Sequence, residues 1–194
     1  MRSMIQETQT RTLSLIAHPA CAVPSAWRVS VAFEREATNA ALKLRYRLPR
    51  FGLRLPDRAS SSASSDTSAR VDRLWQHTCA ELFVAVAGNP AYREFNFAAD
   101  GRWAAYDFVD YREPAVGIAQ ILTPQISSEL NDDAFCISVR LDAACLPLSK
   151  ALQFSATVVL EDDDGRLSYW AAVHPGEKPD FHHRDGFVLT LDSQ

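Results

Sequence analysis

VDRLWQHTCAELFVAVAGNPAYREFNFAADGRWAAYDFVDYR, residues 71–112, reads as one long strand followed by a tight hairpin. Asp100-Gly101 is a two-residue turn signal between alternating runs, and such a pair sets a register. With these two residues as the turn, Phe97 is expected opposite Ala104, Phe95 opposite Tyr106 and Glu94 opposite Asp107. Side chains alternate between the two faces of a strand. Phe95, Phe97, Ala104, Tyr106 and Phe108 then share a core face, while Tyr92, Glu94, Asn96, Trp103 and Asp107 share the other. The second face mixes carboxylates and an amide with aromatic rings, an arrangement suited to a polar ligand. Upstream, Thr78, Ala80, Leu82, Val84 and Val86 form the apolar parity, so Trp75, His77, Cys79, Glu81 and Phe83 project to the side that carries Glu94 and Asn96.

Working outward, residues 13–18, 27–34 and 40–48 read as strands, the last with Leu42, Leu44, Tyr46 and Leu48 opposed by Lys43, Arg45 and Arg47. Further strands are expected at 115–123, 134–143, 152–165, 167–175 and 186–192. TPQISSELNDDA reads as a turn-rich connection, and Asp164-Gly165 as a second hairpin turn. Pro147 argues against a full helix in 143–151. Residues 56–70 carry six serines and no large apolar group, so they read as a mobile surface loop. The sum is about ten strands with no long segment of helical period. That points to an all-β fold, an antiparallel two-sheet β-sandwich or jelly roll, in a single domain over 1–194.

With 194 residues and 47% hydrophobic content the chain can bury a sizeable core. A net charge of −4 with no basic stripe argues against nucleic acid as a partner. No run of 18 apolar residues and no apolar stretch behind a basic start is present, so neither a membrane span nor an export signal is expected. A soluble, cytoplasmic protein is the expectation. The four cysteines, Cys21, Cys79, Cys136 and Cys145, form no CxxC pair and read as reduced structural thiols.

Two groups of residues carry chemistry. Glu81, Asn96 and Trp103 share a face with Trp75, and a carboxylate and an amide beside aromatic rings suit a sugar, whose apolar ring face and hydroxyls need both. Trp170 precedes the second group, HPGEKPDFHHRD at 174–185, which holds three of the five histidines. His174, Asp180 and His182 there are candidate ligand contacts, and an alternative reading makes them the ligands of a metal-dependent enzyme. The spacing matches no standard zinc pattern, and neither a GxSxG motif nor a cysteine in a reactive context is present. No metal or other cofactor is expected. Arg112 could pair with Asp72 or Glu81, or fork onto a ligand. Asp162, Asp163 and Asp164 read as a solvated turn.

Taken together, RLWQHTCAELFV, YREFNFAADGRWAAYDFVDYR and YWAAVHPGEKPDFHHRDGFVLTL resemble the DOMON-like proteins related to the family 9 carbohydrate-binding modules. The resemblance implies a jelly-roll sandwich in a family whose members bind sugars or haem. In its sugar-binding relatives a Trp followed six residues later by a Glu contributes to the site, and Trp75 and Glu81 match that spacing. A second, later Trp closes on the sugar there, and Trp170 is its match. The haem-binding relatives hold iron with a Met and a His, whereas the methionines here are Met1 and Met4. The expectation is a non-catalytic module that binds a carbohydrate or sugar-derived small molecule, with a haem-binding or protein-interaction module as the further alternative.

Overall fold

Period-two alternation builds this chain. In β3 (Leu42–Leu48) the four apolar residues are buried and Lys43, Arg45 and Arg47 are exposed, the signature of a strand with one face in a core. The computed structural model describes residues 10–56, 69–117, 121–149 and 151–190. Twelve strands are present among them: β1 (Arg11–Ala17), β2 (Val29–Arg35), β3, β4 (Cys79–Val86), β5 (Tyr92–Phe97), β6 (Trp103–Asp110), β7 (Glu113–Pro114), β8 (Gln125–Leu130), β9 (Phe135–Leu141), β10 (Leu152–Glu161), β11 (Leu167–Ala171) and β12 (Leu189–Thr190). Every pairing between these strands is antiparallel, along the path β7-β6-β5-β4-β10-β11-β1-β2-β3-β9-β8, with β12 beside β10.

The path doubles back at β1. Its residues Arg11 to Leu15 pair with β2, while Ile16 and Ala17 pair with β11. One layer is therefore β1-β2-β3-β9-β8 and the other runs from β7 to β11. Between them lies a core in which Phe33, Tyr46 and Ile137 of the first layer meet Leu82, Phe95 and Phe154 of the second. The Tyr46 hydroxyl crosses this interface and donates to the Glu81 carbonyl at 2.7 Å. A buried phenol needs such an acceptor, because an unpaired one would lose its hydration without return. The all-β, antiparallel sandwich expected from the sequence is thus the fold.

The central hairpin departs from the expected register by one residue. Phe97 lies opposite Trp103, Phe95 opposite Ala105 and Glu94 opposite Tyr106. The connection is longer than two residues: the Ala98 amide donates to the Arg102 carbonyl at 2.9 Å, and the Gly101 amide to the Ala98 carbonyl at 3.1 Å. Gly101 supplies the left-handed position, at φ 93°, that a three-residue hairpin of this kind requires. A shift of one residue turns every side chain of β6 over. Trp103 and Ala105 point into the core, and Tyr106 and Phe108 join Glu94 on the outer face.

Three other expectations change. Residues 71–78 do not extend β4; Leu74–Gln76 form one turn of 3-10 helix instead. No strand occurs at 115–123 among the described residues, while QISSEL, read as a connection, forms the edge strand β8. An edge strand half open to water can be polar, and a hydrophobic pattern is what the sequence reading relied on. The serine-rich loop at 56–70 lies largely outside the described residues, and 143–145 form a short 3-10 turn.

Candidate functional site

The site grows from the outer face of the second layer. Glu81 of β4 sits in register between Asn96 of β5 and Thr157 of β10, and Glu94 lies two residues along β5 from Asn96. A sheet face this polar would normally meet water. Here the segment after β11 crosses over it, and Phe181, His182 and Phe187 pack on Phe83, Tyr92 and Phe108. Glu81, Glu94 and Asn96 are consequently 2%, 5% and 0% exposed. Between cover and sheet remains a cavity of about 350 Å3. Glu81 and Glu94 line it, together with the rings of Trp75, Tyr106, Phe108, Tyr169 and Phe181, with Arg112 and His182 also on its wall.

The hydrogen bonds of the floor are sparse. Thr157 Oγ1 donates to Glu81 Oε2 at 3.2 Å, and Asn96 Nδ2 donates to Glu94 Oε1 at 2.7 Å, while Asn96 Oδ1 accepts from Cys79 Sγ at 3.5 Å. Burial in a low-dielectric setting penalises the ionised form of an acid. It raises the Glu81 carboxyl far above its ordinary range, with the charge of Glu94 adding to the effect. Burial likewise pushes Glu94 up to about 7, against the opposing pull of the Asn96 amide and the Arg112 charge. The floor can therefore offer both protonated carboxyls, which donate as well as accept, and carboxylates, which only accept.

His182 is held by its neighbours. The Arg112 backbone N–H donates to the Tyr92 hydroxyl at 3.0 Å, and that hydroxyl lies 2.8 Å from His182 Nδ1. The hydroxyl and Nδ1 share one hydrogen, and Nε2 lies 3.8 Å from Glu94 Oε2. Burial and the nearby Arg112 lower His182 to about 4, so it is neutral at pH 7. Arg112 stands at a left-handed φ of 55° just past a β6–β7 irregularity. Its guanidinium donates to Asp180 Oδ1 at 2.8 Å, and the Tyr111 hydroxyl to Asp180 Oδ2 at 2.7 Å. Asp180 also accepts the His182 amide at 3.1 Å. Although burial alone would raise Asp180, these donors hold it below the usual carboxylate range. The pair thus clamps the covering segment to the end of β6.

The sequence-derived candidates divide accordingly. Trp75, Glu81, Arg112 and His182 line the cavity, Asn96 braces its floor, and Asp180 positions its wall. Arg112 pairs with Asp180 rather than with Asp72 or Glu81. Trp103 and Trp170 do not reach the cavity: they are 5% and 4% exposed and belong to the core between the layers. For Trp103 the cause is the hairpin register. Trp170 follows from strand parity, since Tyr169 of β11 faces outward and Trp170, tilted against Trp27 and donating to Ser168 Oγ at 3.0 Å, must face in. His174 is committed elsewhere, its Nε2 2.9 Å from the Ile16 carbonyl and its ring against His18. Among the described residues no three His, Cys, Asp or Glu side chains gather as a metal ion would need, so the triad His174, Asp180 and His182 does not form a metal centre. Glu94 lines the cavity from the face that the sequence assigns to a polar ligand, whereas Tyr106, Phe108, Tyr169 and Phe181 are site residues that the sequence reading does not single out.

No family model matches the chain, and no curated protein matches it. Among solved structures, a proposed carbohydrate-binding protein from Bacteroides uniformis is similar over 93% of this chain and 84% of its own, at TM-score 0.56 and 16% identity. A family 9 carbohydrate-binding module from Caldicellulosiruptor kristjanssonii, solved with glucose, covers 81% of this chain and 73% of its own, at TM-score 0.49 and 12% identity. The same kind of module solved with cellotriose gives TM-score 0.47 at 12% identity. The likeness to the first of these is one of fold.

Proposed function

We propose that this chain is a non-catalytic carbohydrate-binding β-sandwich whose ligand occupies the cavity over β4, β5 and β6. One observation carries the reading: buried hydrogen-bonding acids at the bottom of a cavity of about 350 Å3 whose remaining wall is largely aromatic. A pyranose is amphipathic in the same sense, with C–H faces that pack on rings and hydroxyls that need paired donors and acceptors. Trp75 is 40% exposed and stands edge-on to Tyr106 with ring centroids 5.7 Å apart, so it can cover a sugar at the cavity mouth. Carbohydrate binding is also the role proposed for the Bacteroides uniformis protein of similar fold.

Titration with mono- and disaccharides, followed by calorimetry and tryptophan fluorescence, tests it. At least one sugar should bind, and Trp75→Ala or Glu81→Ala should weaken it by about tenfold or more, the loss of about 1.4 kcal/mol. Silence across the panel at millimolar concentration, in a protein with an intact β-sheet spectrum, overturns the reading.

A further inference from the structure

The cavity floor holds two acids. Glu81 and Glu94 are both buried, and among the described residues neither is bridged by a Lys or Arg side chain, although the Arg112 charge acts on Glu94. Glu81 forms no ion pair there and accepts one hydrogen bond, from the neutral Thr157. Glu94 has a neutral amide at 2.7 Å and the neutral ring of His182 at 3.8 Å. Arg112 lines the same cavity, but its guanidinium is engaged by Asp180 at 2.8 Å. Buried carboxylates are ordinarily paired, because an isolated charge in low dielectric costs several kcal/mol by general estimates. Here no described residue supplies the pairing group, and the space where it would stand is open.

Aromatic rings form much of the wall. Tyr106, Phe108, Tyr169 and Phe181 line the cavity along with the two acids, and ring faces carry negative electrostatic potential that attracts cations. A neutral sugar would be served equally well by amides, which do not carry the penalty of burying two acids against each other. We infer that the ligand of this cavity is a sugar bearing a free protonated amine, with its ammonium group held between the Glu81 and Glu94 carboxylates. This inference rests on the proposal that the cavity binds a carbohydrate. It adds the charge of the ligand and the two residues that read it. Burial favours the protonated form of both acids; the arriving ammonium draws them to the carboxylate form, their protons pass to solvent, and the hydrogen bonds from Thr157 and Asn96 then serve to orient them.

Calorimetric titration of the wild-type protein at pH 7 with glucosamine, N-acetylglucosamine, glucose and tetramethylammonium decides the matter. Glucosamine should bind at least about tenfold tighter than either neutral sugar. In Glu81→Gln and Glu94→Gln the affinity for glucosamine should fall further than that for the neutral sugars, so that the preference collapses towards unity. Equal binding of glucosamine and the neutral sugars overturns the inference and leaves carbohydrate binding standing. Binding of tetramethylammonium with no sugar bound overturns the amino-sugar inference together with the carbohydrate reading and leaves a cation site alone. No heat from any of the four overturns both. Should a Gln variant fail to fold, the four wild-type titrations alone separate these outcomes.

Discussion

Glu94 and His182 face each other across the cavity wall with opposed responses to protons. Glu94 holds its proton more tightly when folded, with its pKa moved from 4.5 to about 7, so between those values the native state binds the extra proton and stability falls as pH rises. His182 is lowered from 6.5 to about 4, so between those values the unfolded state binds the extra proton and stability rises with pH. Over the shared interval the two slopes oppose one another. Glu81, whose carboxyl burial also raises, adds a slope of the same sign as that of Glu94, so the wild type should lose stability as pH rises from 4.5 to about 7, with His182 offsetting part of the loss, as measured by urea denaturation. His182→Gln should steepen that loss. Glu94→Gln should make it shallower than in the wild type. At this scale the sequence was partly legible. Parity put Glu81, Glu94 and Asn96 on one face, but nothing local says that a segment far later in the chain covers them. Burial, and with it the altered acidity, is a tertiary fact.

The hairpin joining β5 and β6 shows where the reading of elements failed. Asp100-Gly101 does form the turn, and the glycine does occupy the left-handed position, yet the loop carries one more residue than the dipeptide signal implies. Both parities of β6 are largely apolar, with Trp103 and Ala105 on one and Ala104, Tyr106 and Phe108 on the other. Hydrophobic pattern could not arbitrate between the registers. The difference is open to measurement: Tyr106→Ala should weaken ligand binding by about tenfold, whereas Trp103→Phe should leave affinity unchanged and lower the denaturation midpoint. The reverse result would restore the two-residue turn. The edge strand β8 was hidden for a related reason, because QISSEL has one strand neighbour and needs little apolar surface. The strongly alternating β3 was legible throughout.

At the scale of the molecule, the absence of helical period and the spacing of turns were enough to give the layered all-β architecture, since each half-apolar sheet must find a partner. What they could not give was the strand that both layers share. Because β1 bonds to β2 through its first residues and to β11 through Ile16 and Ala17, the layers cannot part along that side without breaking the backbone ladder of one continuous strand. On the opposite side, where the path ends in β7 and β8, no strand is shared between the layers among the described residues, and side-chain bonds such as that from Ser128 Oγ to the Ala99 carbonyl at 2.6 Å bridge them. Opening should therefore begin there, and in deuterated solvent the amides of β7 and β8 should exchange earliest while those of β1, β10 and β11 keep their protium longest. Uniform exchange across all strands would mean that the shared strand confers no directional resistance.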